Sequence, residues 1–200
     1  MKLNVFALLT FLMLPLRVLA ADGDTFTAST VESVTVTYTV ISESAKTCKV
    51  GRGYIKNQGT VYAVDESVSG SVTIPSQVNG YSVVAVADHA FYNRSNIESI
   101  SLPSSILEIG GSAFMGCSSL PSIVLPDNVS FIGDRAFCNC SLLSSVNIPE
   151  GVSRLEELSF RGCSKLDNLS LPSTISFIGE QAFYECSSLT SIIIPDNAII

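Results

Sequence analysis

Between Val34 and Val40 the chain alternates apolar residues with threonine: Val34, Val36, Tyr38 and Val40 against Thr35, Thr37 and Thr39. A period of two predicts a strand with one buried face. The pieces 48–50, 60–64 and 71–74 read as further short strands, separated by turns at Gly51–Gly53 and Asn57–Gly59. Residues 22–32 are polar and threonine-rich and read as a flexible lead. Beyond residue 80 a longer period takes over. Pro103, Pro126, Pro149, Pro172 and Pro195 stand 23 residues apart. The same spacing separates Phe91, Phe114, Phe137, Phe160 and Phe183, and it separates Cys117, Cys140, Cys163 and Cys186. Two apolar columns share it: Ile100, Ile123, Val146, Leu169, Ile192, and Val86, Ile109, Ile132, Leu155, Ile178. A fixed period between 20 and 50 residues means stacked repeat units.

One unit starts at Leu120. Its first strand alternates into Ile123 and Leu125 and stops at Pro126, which cannot donate to a ladder. A second extended piece runs from Val129 to Gly133, and the compact Ala136-Phe137-Cys138-Asn139-Cys140 reads as a short helical turn. One such coil is too small to bury its own apolar side, whereas stacked copies make a continuous core. The expected fold is therefore a mainly β repeat solenoid: a leucine-rich-repeat-like, right-handed stack of coils with a parallel sheet and short helical corners. A small antiparallel β cap is expected at its amino-terminal end. The spacing from Ile74 to Leu102 is 28 residues, five more than the period, and predicts a longer strand or a hairpin around Asn79, Gly80 and Tyr81. Ser159 interrupts the column of Ala90, Ala113, Ala136 and Ala182, and Glu156 interrupts that of Gly110, Gly133 and Gly179, which predicts an altered turn in the fourth unit.

The pattern I-G-x-x-A-F-x-x-C-S-x-L-x-S-I-x-I-P, clearest over Ile109–Pro126 and Ile178–Pro195, resembles the BspA-like leucine-rich repeat family of exported and surface proteins. Val72 to Tyr81 looks like that family's usual lead into its array. The first unit departs from the pattern at Arg94, where later units carry cysteine. The resemblance implies a bacterial exported protein, of the Bacteroidetes type, that works by adhesion or host contact.

Composition narrows the function. Met1 and Lys2 precede an apolar run from Val5 to Leu16, and Val18-Leu19-Ala20 supplies small residues, so 1–20 reads as a secretory signal peptide. No later segment is apolar enough to span a membrane. The expected organisation is a signal peptide over 1–20, a lead and β-rich cap over 21–74, and over 75–200 an array of five units with a partial sixth. Past residue 20 all 18 acids face nine cations, and nothing forms the basic footprint that nucleic acid requires. The apolar stop at Ile199 and Ile200 points to a truncated frame, or to self-association through an uncapped carboxyl-terminal end.

Candidate chemistry is sparse. No cofactor or metal set is expected, and the chain does not read as an enzyme. Residues on neighbouring coils sit about 4.8 Å apart with parallel side chains, which suits a buried thiol ladder better than disulfides. Cys138 with Cys140 has the wrong spacing for a zinc pair. His89, the one histidine, stands in a column with Ser112, Arg135 and Gln181 and reads as a surface residue. Four sequons, at Asn93, Asn128, Asn139 and Asn168, would matter only in a eukaryote. Outward residues of the strands form two columns. Ser99, Ser122, Ser145, Asn168 and Ser191 are nearly uniform; Ser101, Val124, Asn147, Ser170 and Ile193 vary. The expected binding face is Val124, Asn147, Ser170 and Ile193, edged by Asp167 and Glu98. Its expected partner is an extracellular protein or glycoprotein; the alternative role is a spacer or self-associating segment of a larger surface protein.

Overall fold

The computed structural model describes residues 20–55 and 59–200. The signal peptide expected at the amino terminus, and part of the turn expected at Asn57–Gly59, lie outside the described residues. In chain order the strands are β1 (Thr25–Ser29), β2 (Thr35–Ser42), β3 (Thr47–Val50), β4 (Gly53–Ile55), β5 (Gly59–Val61), β6 (Gly70–Thr73), β7 (Gln77–Val78) and β8 (Tyr81–Val86). The array adds β9 (Ile97–Ser101), β10 (Glu108–Ile109), β11 (Ser122–Ile123), β12 (Phe131–Ile132), β13 (Ser145–Val146), β14 (Arg154–Leu155) and β15 (Phe177–Ile178).

The amino-terminal region is an antiparallel meander, β1–β2–β3, joined through β3 to β8 in parallel. Its sheet continues in parallel through β10 and β12. The expected flexible lead is in fact β1, paired residue for residue with β2, with the Phe26 ring 5.6 Å from that of Tyr38. The polar threonines there alternate with Phe26 and Ala28, which turn inward. At the junction β7 and β8 form the expected hairpin: Asn79 and Gly80 both take positive φ, 50° and 83°, as a two-residue turn of the primed kind requires. A second row of short parallel strands pairs β6 with β9 and β11 with β13.

The corners hold the core. Phe91, Phe114, Phe137 and Phe160 are fully buried, and successive ring centroids lie 5.3 Å apart, opening to 5.9 Å at Phe183. Near-parallel, offset rings at this separation are a favourable aromatic geometry. Beside them each cysteine of the ladder donates its thiol to a carbonyl 26 residues earlier: Cys117 to Phe91, Cys140 to Phe114, Cys163 to Phe137 and Cys186 to Phe160, at 3.1–3.2 Å. Burial pushes the Cys117 thiol up to about 12 and the thiols of Cys140 and Cys163 well above their ordinary range. At Arg94 the guanidinium stands in for the missing thiol. Its Nε donates to Val64 at 2.9 Å while its plane lies 4.3 Å from the Tyr62 ring.

The corners are not helical; no helix is found among the described residues. Backbone amides alternate in destination. In the first unit the N–H groups of Ala90, Tyr92 and Arg94 close four-residue turns onto Ala87, His89 and Phe91, whereas those of His89, Phe91 and Asn93 reach the next coil at Gly111, Ala113 and Met115. A helix would keep all of them within the unit. The alternation imposes positive φ at the column His89, Ser112, Arg135, Leu158, Gln181 and at the column Asn93, Gly116, Asn139, Gly162, Glu185. Non-glycine residues take this conformation uncommonly, so the inter-coil bonds must compensate for it.

The fourth unit differs from expectation. Its turn is intact: Ser159 donates to Glu156 at 3.3 Å and Leu158 takes the same φ as its column. The change lies in the adjoining sheet. Gly110, Gly133 and Gly179 donate to Val86, Ile109 and Leu155, but the Glu156 N–H makes no such bond and β12 does not pair with β14. A Cβ built on Gly133 would meet the Gly111 nitrogen at 2.5 Å, and one on Gly179 would meet the Glu157 nitrogen at 2.6 Å. Glu156 carries that Cβ, so its coil stands off and the sheet ends there. Ser159, fully buried in an alanine column, leaves its Oγ without a partner.

Candidate functional site

The second row of strands presents its outward residues on one face. Each strand enters through a buried leucine-type residue and leaves at a proline, so its two outward positions flank a core residue. Val124, Asn147, Ser170, Ile193, Asp167 and Glu98 are all exposed on this face, Val124 at 74% and Ile193 at 89%. The row is interrupted between β9 and β11, and Pro121 is the cause. The equivalent amides of Ser144 and Asp167 donate across to Pro121 and Ser144, at 2.9 and 3.3 Å. Pro121 has no N–H to offer Glu98.

Three shallow grooves follow the face. The first, about 700 Å³, lies over the interruption, with Ser99, Leu102 and Asp127 beside Val124 and Asn147. The second, about 560 Å³, brings Val124, Asn147 and Ser170 together. The third, about 370 Å³, joins Asp167 and Ser170 to Ile193. Five of the six expected residues thus line connected concavities, while Glu98 lines none of the three.

One expected residue has a second job. The Asn147 side chain accepts a hydrogen bond from the Leu125 N–H and donates one to the Leu125 carbonyl, both at 3.0 Å. It serves as a false rung where the strands diverge, so it is less free to meet a partner than its exposure suggests. Asp127 and Asn128 on the wall of the first groove were not anticipated. Asn128 reaches back to the Ser104 carbonyl at 2.9 Å. Their recurring position after the strand-ending proline was the available signal.

His89 is half-buried rather than a surface residue. Its ring lies 5.5 Å from that of Tyr92 and its Nδ1 is enclosed without a partner. Among the described residues no group of three histidine, cysteine or acidic side chains converges to hold a metal, and no helix is long and apolar enough to cross a membrane.

No curated protein matches the chain. Among solved structures, a leucine-rich repeat protein from Bacteroides ovatus superposes with a TM-score of 0.54 at 25% identity, covering 82% of this chain and 52% of that one. The chain therefore spans about half the length of that relative. A leucine rich cell surface protein from Faecalibacterium prausnitzii gives 0.49 at 24% identity, over 86% of this chain and 55% of its own. The T. pallidum Leucine Rich Repeat protein gives 0.44 at 23%, over 83% and 88%. The family described as BspA type leucine rich repeat region matches residues 84–200 in six copies, more than half of the sequence. With its period, its stacked corners and that match in agreement, the chain belongs to the BspA-type leucine-rich repeat family.

Proposed function

We propose that this chain is an exported, non-catalytic recognition protein that docks a protein or glycoprotein outside the cell on the strand face. Membership of a repeat family suited to protein interaction supports the general reading. The observation that carries the specific one is the run of connected grooves past Val124, Ser170 and Ile193, on a face whose polar column is otherwise bland. The leader-like run over 1–20 supports export.

The test is equilibrium binding of the mature chain to immobilised extracellular-matrix proteins, mucins and polysaccharides, with light scattering to establish the monomer. Saturable binding to one class, weakened at least tenfold by Val124→Arg with Ser170→Arg, is the expected result. Asn147 is left intact because its side chain holds the Leu125 backbone. The spacer reading rests on the near-uniform Ser99 to Ser191 column. It predicts no saturable ligand and a particle size that grows with concentration.

A further inference from the structure

The charges of the array are distributed unevenly between its faces. Every ion pair formed there involves a corner or the sheet opposite the grooves: Arg135 with Asp134 and Glu157, Arg154 with Glu156, and Arg161 with Glu185. The strand face has no such partners. Its five segments, 98–105, 121–128, 144–151, 167–174 and 190–197, hold Glu98, Asp127, Glu150, Asp167 and Asp196, and no lysine, arginine or histidine. All five carboxylates are exposed, and among the described residues none is in an ion pair. They are also dispersed coil by coil rather than gathered, since no three of them converge on one point. One charge per coil, at the strand entrance for Glu98 and Asp167 and past the proline for Asp127, Glu150 and Asp196, suits a partner whose own charges are spread along its length, not a single ion.

We propose that the occupant of this face is a cationic stretch of extended polypeptide lying across the strands, along the axis of the stack. The inference rests on the docking reading above and specifies the partner's chemistry. Five coils at about 4.8 Å per step span about 19 Å, the length of about six extended residues. Exposed Val124 and Ile193, with the serine hydroxyls between them, give the aliphatic stems of lysine or arginine a surface to lie on while their charged ends reach the rim acids. The same field repels sulfated or sialylated glycans and phosphate backbones.

The experiment uses fluorescein-labelled hexapeptides of alternating lysine and valine, serine and valine, and glutamate and valine, titrated by anisotropy against the full mature chain. The lysine peptide binds at least tenfold more tightly than the serine peptide, and the glutamate peptide does not bind. Raising salt from 50 to 300 mM weakens the lysine peptide about tenfold. Glu98→Lys/Asp127→Lys/Glu150→Lys abolishes its binding, whereas the control Glu66→Lys/Glu108→Lys/Glu180→Lys, with the same change in net charge, retains it. Thermal melts establish that both variants fold. Equal loss in the two variants, or no preference for lysine over serine, overturns the inference. The docking reading fails separately: if Val124→Arg with Ser170→Arg leaves capture of a panel protein unchanged, the face itself is wrong. If that pair abolishes capture while the charge reversal does not, the face stands and the cationic partner falls.

Discussion

The corner ribbon and the two rows of strands pass through the same coils, yet only the corner is unbroken. Across all four steps from Phe91 to Phe183 three amides per unit reach the next coil, at 2.7–3.1 Å, and the rings stay stacked. One strand row stops at Pro121 and the other at Glu156. The difference lies in what each rung demands of a side chain. A corner rung needs a small or apolar residue pointing inward, a demand the core enforces. Every rung needs an N–H; a strand rung in the glycine column needs in addition the absence of a Cβ. A single proline or glutamate violates either. Continuity of the solenoid therefore resides in its corners, and the strand rows are free to be interrupted; over the break at Pro121 lies the largest of the three grooves of the strand face.

Four measurements press on this contrast. The largest effect is expected from alkali. The ladder thiols have raised pKa values because burial disfavours the thiolate, so above pH 9 an unfolded chain releases protons that the folded one keeps. Stability is then fully present below pH 9 and falls as pH rises towards about 12, the Cys117 value. Circular dichroism is expected to show loss of the fold within that window, and a fold unchanged at pH 12 would remove the thiols from the core. Next, Phe137→Ala removes the middle ring of the stack and is expected to cost about 3–5 kcal/mol by chemical denaturation. Gly133→Ala should cost less, about 1–3 kcal/mol, because its Cβ meets backbone at Gly111 and severs the first sheet one coil earlier. Hydrogen exchange would then show the residue-133 amide losing protection while those of Phe114 and Phe137 keep theirs. The smallest change is Pro121→Ser, which restores an N–H opposite Glu98. It is expected to add at most about 1 kcal/mol and to protect the new amide from exchange.

The period, the cap, the Asn79–Gly80 hairpin and the thiol ladder were all legible, because each depends on residue types repeated at a fixed interval. The corner conformation was not. Positive φ is ordinarily signalled by glycine or asparagine, yet at His89, Arg135, Leu158 and Gln181 it is imposed by amides reaching the next coil. Glu156 was conspicuous, but its consequence was assigned to the turn it belongs to rather than to the neighbour its Cβ displaces. Pro121 was visible too, one residue into a strand, and its meaning appears only when the coil before it is in place. The exposure of Val124, Ser170 and Ile193 on one side of their strands was legible from alternation alone. The commitment of Asn147 to Leu125 was hidden, since both partners come from different coils and no local pattern joins them.

The second column of left-handed corner residues reads Asn93, Gly116, Asn139, Gly162, Glu185, with a glycine at every second place. A Cβ on Gly116 would meet the Asn93 Oδ1 at 2.2 Å, and one on Gly162 would meet the Asn139 Oδ1 at 2.4 Å. Each asparagine thus occupies the room that the following glycine vacates. In this stretch the packing of the corner side chains therefore repeats every two coils, not every one. Removing one coil of 23 residues would set asparagine against asparagine or glycine against glycine at the seam, whereas removing two adjacent coils preserves the alternation.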